Sequence, residues 1–256
     1  MIDLDGKTAL VTGGAAGIGA GMAERLAAEG MDVVIADLDR EAGAATAGRI
    51  GGSFVRADVA TAAGVGTAVE AARRSHGRLG VLVANAGGGG TAVPAADPAK
   101  WNYALDLNLR GVMLATQLVL DPMAESGGGA IITIASVAGL GTTSHDCPEY
   151  ATAKAGLIRF TECLAPLRDS MGVRANCICP GLVDTPSSRR SRAGLTPAQL
   201  AALPPVLTPA DIAAAAMQFL ADDTLAGRVM VCRGGEPSRL LPLVDWQTAL
   251  PSVTER

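Results

Sequence analysis

Lys7-Thr8-Ala9-Leu10-Val11-Thr12-Gly13-Gly14-Ala15-Ala16-Gly17-Ile18-Gly19 is the stretch that decides the fold. A short apolar run, Lys7 to Val11, gives way to a glycine turn, and a helical stretch follows through Ala27. Gly13 permits the tight turn. Gly17 lets a backbone or a ligand come close, and Gly19 lets the helix pack on the strand. The free N–H groups at the helix start then face an anion such as a pyrophosphate. The spacing GxxxGxG is a variant of the GxGxxG dinucleotide fingerprint, and alone it also fits an ordinary strand-to-helix turn.

Outward from this unit the same alternation continues. Asp32 to Asp37 reads as the next strand, and its last residue stands roughly 20 residues after the glycines, where a carboxylate can accept hydrogen bonds from an adenosine ribose. That charge repels a 2′-phosphate and favours NAD over NADP. Asp39 adds a carboxylate but is expected to cap a helix from Arg40 to Arg49. Arg40 dissents, because an arginine there can meet a phosphate. Further strands are expected at Ser53–Ala57, Leu79–Ala84, Ala130–Ala135, Val173–Cys179 and Arg228–Cys232. Helices fill the intervals: one to about Ser75, a long one from Pro98 to about Met123, one carrying Tyr150 towards Gly172, and one capped by Thr208 and running to about Leu220. Trp101, Leu105, Leu109 and Val112 recur at helical spacing and give the long helix an apolar face. Pro166 should kink or shorten the Tyr150 helix. Residues 185–207, rich in Pro, Ser and Arg, read as a mobile cover with one short helix, and the tail 236–256 as irregular. The sum is one α/β domain over 1–256: a doubly wound (Rossmann) fold with a mostly parallel seven-stranded sheet and helices on both faces.

Tyr150-Ala151-Thr152-Ala153-Lys154 carries the chemistry. Residues four apart on a helix lie one turn from each other on one side. A free tyrosine titrates near ~10, and a neighbouring ammonium favours the phenolate and pulls that value down. The chain has two tyrosines and three lysines, so the pair has a modest chance of arising as an ordinary surface feature. Ser136, delivered at the end of the Ala130–Ala135 strand, strengthens it. Asn108 is a polar residue within the long helix, and such residues are usually exposed. His145 is expected to face solvent. The Arg189-Arg190-Ser191-Arg192 cluster can greet an acidic substrate or an acyl carrier, although basic clusters are mostly solvated faces.

Composition bounds the rest. The net charge is −4, with both signs mixed along 256 residues, which gives no nucleic-acid surface. No apolar run has the length and purity of a membrane span, and Met1-Ile2-Asp3-Leu4-Asp5 lacks the basic start of a secretory signal. Five cysteines without a CxxC pair fit reduced thiols in the cytoplasm. Cys177 and Cys179 should share one buried strand face. Two histidines without ligand spacing give no metal site.

Together these residues resemble the short-chain dehydrogenase/reductase family over Lys7 to Gly235. The matching pieces are Thr12-Gly13, Gly17-Ile18-Gly19, Asp58-Val59, Asn85-Ala86-Gly87, Asn108, Ser136, Tyr150 with Lys154, and Pro180-Gly181 with Thr185. The resemblance implies that Gly13, Gly17, Ile18 and Gly19 hold the pyrophosphate of NAD, with NADP less favoured. It implies that Asp37 and Leu38 bind the adenine ribose, and that Asp58 and Val59 bind the adenine. Asn85, Ala86 and Gly87 would line the cofactor cleft, and Pro180, Gly181, Val183 and Thr185 would hold the carboxamide. Ser136 would bind the substrate oxygen and Tyr150 would be the general acid/base. Lys154 would bind the nicotinamide ribose and lower the tyrosine's pKa, and Asn108 would hold a water linking Lys154 to solvent.

The implied activity is NAD(H)-dependent interconversion of a secondary alcohol and a ketone by a homodimer or homotetramer, with a small-molecule substrate and no nucleic-acid or membrane partner. Ala84 departs from the family's first asparagine, the Ser136–Tyr150 interval is one residue longer than usual, and the segment after Thr185 is shorter. Pro166 falls on a face that the family uses for subunit contact. Two other functions share the pattern. A non-catalytic NAD-binding sensor or scaffold would bind without turnover. A 3-oxoacyl thioester reductase would use NADPH, which Asp37 disfavours.

Overall fold

In the computed structural model, which describes residues 4–76, 78–90, 97–141 and 145–243, the opening stretch forms β1 (Thr8–Thr12) and α1 (Gly17–Ala28). All five side chains of β1 are buried, as expected for a strand covered on both faces. Gly13 has φ +65°, and a β-carbon there would lie 2.7 Å from Ala86 Cα, so both conformation and space demand glycine. At Gly19 a β-carbon would lie 2.1 Å from the Gly13 carbonyl oxygen, which is why α1 can start so close to its strand.

The remaining elements are β2 (Asp32–Asp37), α2 (Arg40–Ile50), β3 (Ser53–Arg56), α3 (Ala62–Arg73), β4 (Leu79–Ala84), α4 (Pro98–Leu105), α5 (Gly111–Glu125), β5 (Gly129–Ile134), α6 (Pro148–Cys163), α7 (Leu167–Met171), β6 (Val173–Pro180), α8 (Pro186–Arg192), α9 (Pro197–Ala201), α10 (Pro209–Ala221), β7 (Val229–Cys232) and β8 (Arg239–Leu240). They build one sheet in the order β3-β2-β1-β4-β5-β6-β7-β8. Val65, Val119 and Leu157, from α3, α5 and α6, pack on one face. Met22, Leu26, Ile212 and Phe219, from α1 and α10, pack on the other. Each such fully buried side chain contributes roughly 1.5–3 kcal/mol. Side-chain acceptors start the helices as expected: Asp39 Oδ1 takes the Ala42 N–H (3.0 Å), and Thr208 Oγ1 takes the Asp211 N–H (3.2 Å).

Several expectations change. Among the described residues the sheet has eight strands, not seven, because β8 pairs antiparallel with β7 through Met230–Leu240 and Val231–Arg239. The edge of β7 offers unpaired backbone groups, and two residues of the tail take them; so short a strand has no readable alternation. The long helix is α4 and α5 joined by a π-helical turn, Asp106–Arg110, and Trp101 is exposed instead of lining its apolar face. The cover holds two short helices, α8 and α9, each begun by a threonine capping box. Pro166 does shorten the Tyr150 helix, which stops at Cys163. Residues 91–96 and 142–144, after β4 and β5, fall outside the described residues, as does most of the tail. No helix among the described residues is long and apolar enough to cross a membrane.

Candidate active site

β1 pairs with β2 on one side and β4 on the other, so chain order reverses there. Open parallel sheets bind ligands at the carboxyl ends of strands at such a switch point. A cleft of about 640 Å³ lies there. Gly13, Gly17, Ile18, Asp37, Leu38, Asp58, Val59, Asn85, Ala86, Gly87, Ser136, Tyr150, Lys154, Pro180, Gly181, Val183 and Thr185 all line it. Gly19 and Asn108 do not; Gly19 is the packing contact described above.

At one end, β5 delivers Ser136 and α6 delivers Tyr150 and Lys154. Lys154 is 3% exposed, and its Nζ donates to the Ile134 carbonyl at 2.8 Å. The same Nζ lies 5.7 Å from the centre of the Tyr150 ring. Burial lowers the Lys154 pKa to about 8. Burial pushes the Tyr150 phenol up, and a hydrogen bond with the Ser136 side chain pulls it partly back. The expected downward pull of Lys154 on Tyr150 is therefore not the governing influence. The ammonium is engaged by a carbonyl and is itself weakened by the dry surroundings that raise the phenol. His145 is exposed, and its ring centre lies 5.8 Å from that of Tyr150.

Unlike most polar residues within a helix, Asn108 is not exposed. It is fully buried in the π-helical turn, away from the cleft. Its Oδ1 accepts the Gly88 N–H (2.9 Å), and its Nδ2 donates to the Gly88 and Ala104 carbonyls (2.9 Å each). A β-carbon at Gly87 would lie 2.7 Å from Asn108 Oδ1 and 3.0 Å from Lys154 Nζ, so asparagine, glycine loop and lysine form one packed unit.

The middle of the cleft suits an anion. α1 begins at Ala16 with no side-chain cap and no acidic residue in its first turn, which leaves its N–H groups for another acceptor. Asn85 closes the turn from the other side, its Nδ2 donating to the Thr12 and Gly13 carbonyls at 3.1 and 2.8 Å. At the far end the Asp37 carboxylate accepts the Ala15 N–H and the Asp39 N–H, each at 3.0 Å. Asp39 is spent on its helix cap. Asp58 Oδ1 accepts the Ala60 N–H at 3.0 Å. Donors for phosphate, carboxylates for a ribose and a narrow glycine floor fit a nicotinamide dinucleotide.

Sequence reasoning missed Tyr103 and Leu107, which wall the cleft, and Pro186, Ser187 and Ser188 of α8, whereas Arg190 and Ser191, which also line it, belong to the basic cluster singled out above. Tyr103 is the second of only two tyrosines and stands one helical turn before Leu107, which was a usable signal. Cys177 and Cys179 do share a buried face, with Sγ atoms 3.9 Å apart.

A family model described as short chain dehydrogenase matches residues 7–196. D-threitol dehydrogenase of Mycolicibacterium smegmatis is 37% identical over 245 residues, covering 91% of this chain and 93% of that protein. The structure of 3-ketoacyl-(acyl-carrier-protein) reductase from Brucella melitensis complexed with NADH superposes with a TM-score of 0.80 at 31% identity, covering 91% of this chain and 98% of that one. A variant of actinorhodin polyketide ketoreductase with NADPH superposes with a TM-score of 0.83 at 28% identity, covering 92% and 98%.

Proposed function

This chain belongs to the short-chain dehydrogenase/reductase family, the oxidoreductases that act on CH–OH groups, and from that premise we propose that it interconverts a secondary alcohol and a ketone with NAD(H), using Tyr150 as general acid/base. The observation that carries this is the meeting of Ser136, Tyr150 and Lys154 from two elements at one end of the cleft. When bound, the nicotinamide dinucleotide supplies the two-electron carrier. The N–H groups at Gly17 and Ile18 would hold its phosphates, while Gly13 forms the floor of the turn and Gly19 lets α1 start close against β1. Asp37 and Leu38 take the adenine ribose, and Asp58 and Val59 the adenine. Asn85, Ala86 and Gly87 line the cleft wall, and Pro180, Gly181, Val183 and Thr185 hold the carboxamide.

Ser136 hydrogen-bonds the substrate oxygen and steadies it as its charge changes. Tyr150 takes the alcohol proton in oxidation and returns it in reduction. The upward push of burial keeps the phenol protonated near neutral pH, the form that ketone reduction uses. Lys154 orients the ribose, and Asn108 positions the Gly87–Gly88 backbone beside it.

Asp37 supports NAD over NADP, because a carboxylate at the end of β2 in this cleft would repel a 2′-phosphate. Residues 185–207 serve as the cover over the cleft within one domain. The family resemblance supports a homodimer or homotetramer, and five free thiols support the cytoplasm. The test follows reduced nicotinamide across an alcohol and ketone panel with each dinucleotide. Tyr150→Phe should lower kcat by at least about 10²-fold while NAD binding stays intact. Turnover undiminished in that variant, or higher kcat/KM with NADP, would remove the acid/base role or the cofactor choice respectively.

A further inference from the structure

The arginine cluster of α8 divides on inspection of its partners. Arg189 forms a bidentate pair with Asp184, Nε to Oδ1 at 2.9 Å and Nη2 to Oδ2 at 2.7 Å. Arg192 Nη2 joins the same carboxylate at 2.8 Å. Asp184, its pKa held down to about 2 by the hydrogen bond from Arg189, is thus a fixed anion shared by two cations. Arg190 lies between them in sequence, is exposed, has no side-chain partner among the described residues, and lines the cleft.

Its place along the cleft follows from helix geometry. Pro186 and Arg190 are four apart and share a face of α8. That face meets the glycine turn: a β-carbon at Gly17 would lie 3.0 Å from Thr185 Cγ2 and 3.8 Å from Pro186 Cδ. The guanidinium is therefore borne one turn along the helix from the uncapped start of α1. A guanidinium offers planar, bidentate donation to phosphate oxygens, and an exposed one lining the same cleft as uncapped backbone donors adds a side-chain cation to them.

We propose that Arg190 is a phosphate clamp, closing over the diphosphate of the bound dinucleotide from the side opposite the α1 N–H groups. The proposal rests on the dinucleotide reading above and adds a residue of the cover to it. Asp184 makes the clamp selective: by holding Arg189 and Arg192 it keeps α8 fixed and leaves one cation for the ligand. The shared chemistry is an anion in the cleft, and a negatively charged group on the substrate is the other source for it.

Calorimetry on the full chain separates these, with ADP-ribose, which carries the diphosphate, and adenosine, which carries no phosphate. Arg190→Ala should weaken ADP-ribose about tenfold or more, leave adenosine within about twofold, and flatten the salt dependence of ADP-ribose binding; Arg190→Lys should recover part of the loss. Equal losses for both probes, or none for ADP-ribose, would overturn the clamp. So would an unchanged ADP-ribose affinity with a raised KM for a carboxylate-bearing ketone relative to its ester, which assigns Arg190 to the substrate. Wild-type protein that binds no ADP-ribose overturns the dinucleotide reading itself and the clamp with it.

Discussion

Lys154 holds an ammonium inside the protein with the Ile134 carbonyl at 2.8 Å. Its pKa falls from the ordinary 10.5 to about 8, so the charged form is disfavoured by about 3 kcal/mol. Below pH 8 both folded and unfolded chains carry the proton, and the folded state bears that cost in full. Between about 8 and 10.5 the unfolded chain binds more protons than the folded one, so this group's contribution to stability rises with pH. Lys154→Met should accordingly be more stable than wild type by about 2 kcal/mol at pH 7, after about 1 kcal/mol is subtracted for the lost hydrogen bond. The gain should shrink through zero and reverse to a loss of about 1 kcal/mol above pH 10.5, where only the missing hydrogen bond counts, while turnover is lost at every pH. Paired denaturant titrations across that range measure it, and a constant or growing difference would contradict the assignment. The identity of Tyr150, Ser136 and Lys154 as a set was legible from type and spacing. The direction of the shift on Tyr150 was not, because burial depends on what packs around the phenol and only spatial neighbours decide that.

The π-helical turn between α4 and α5 is the element that the sequence concealed. Helical periodicity runs through Leu105, Leu109 and Val112 and reads as one continuous α-helix, with no residue type in it that marks a π turn. Its effect is local and large: Asn108 turns inward and pins Gly88 by two hydrogen bonds of 2.9 Å. Asn108→Ala should cost about 1–3 kcal/mol, since the Gly88 N–H loses its acceptor and the Gly88 carbonyl loses its donor in a part-buried setting. Hydrogen exchange at the Gly88 amide should accelerate in the variant, whereas amides of β1 keep protection limited by the global stability. Exchange at Gly88 as slow as in wild type would show that the loop is held by something else. The cover is similar: Thr185, Thr196 and Thr208 announce helix starts, but only the fold shows Asp184 joining Arg189 and Arg192 across a turn.

At the scale of the whole molecule, one buried arginine ties the last helix to the sheet. Arg174, in β6 and 6% exposed, donates through Nη1 to the Phe219 and Asp222 carbonyls at 2.6 and 2.8 Å and through Nη2 to the Leu220 carbonyl at 3.3 Å. These are the carbonyls that the end of α10 leaves without helical partners. Arg174→Met should destabilise the fold by about 3 kcal/mol, a fall of roughly 6–12 °C in Tm for a chain of this size. The dinucleotide affinity of the folded protein should not change, because Arg174 stands at the amino end of β6 whereas the cleft lies at the carboxyl ends of the strands. A Tm within a degree of wild type would show that water serves those carbonyls equally well.

What the sequence determined alone was whatever depends on local covalent identity and period: the strand–helix alternation, the glycine turn at Gly13–Gly19, the acidic end of β2, the helix caps, and the Tyr150–Lys154 pair. From these the doubly wound sheet and most of the cleft's lining could be read. The tertiary structure decided the rest: an eighth strand at an open edge, the inward turn of Asn108, the wall formed by Tyr103 and Leu107, and the single arginine left free on α8. Each of these depends on which groups far apart in the chain come to share a volume from which water is excluded. Spacing along one element carries no record of that.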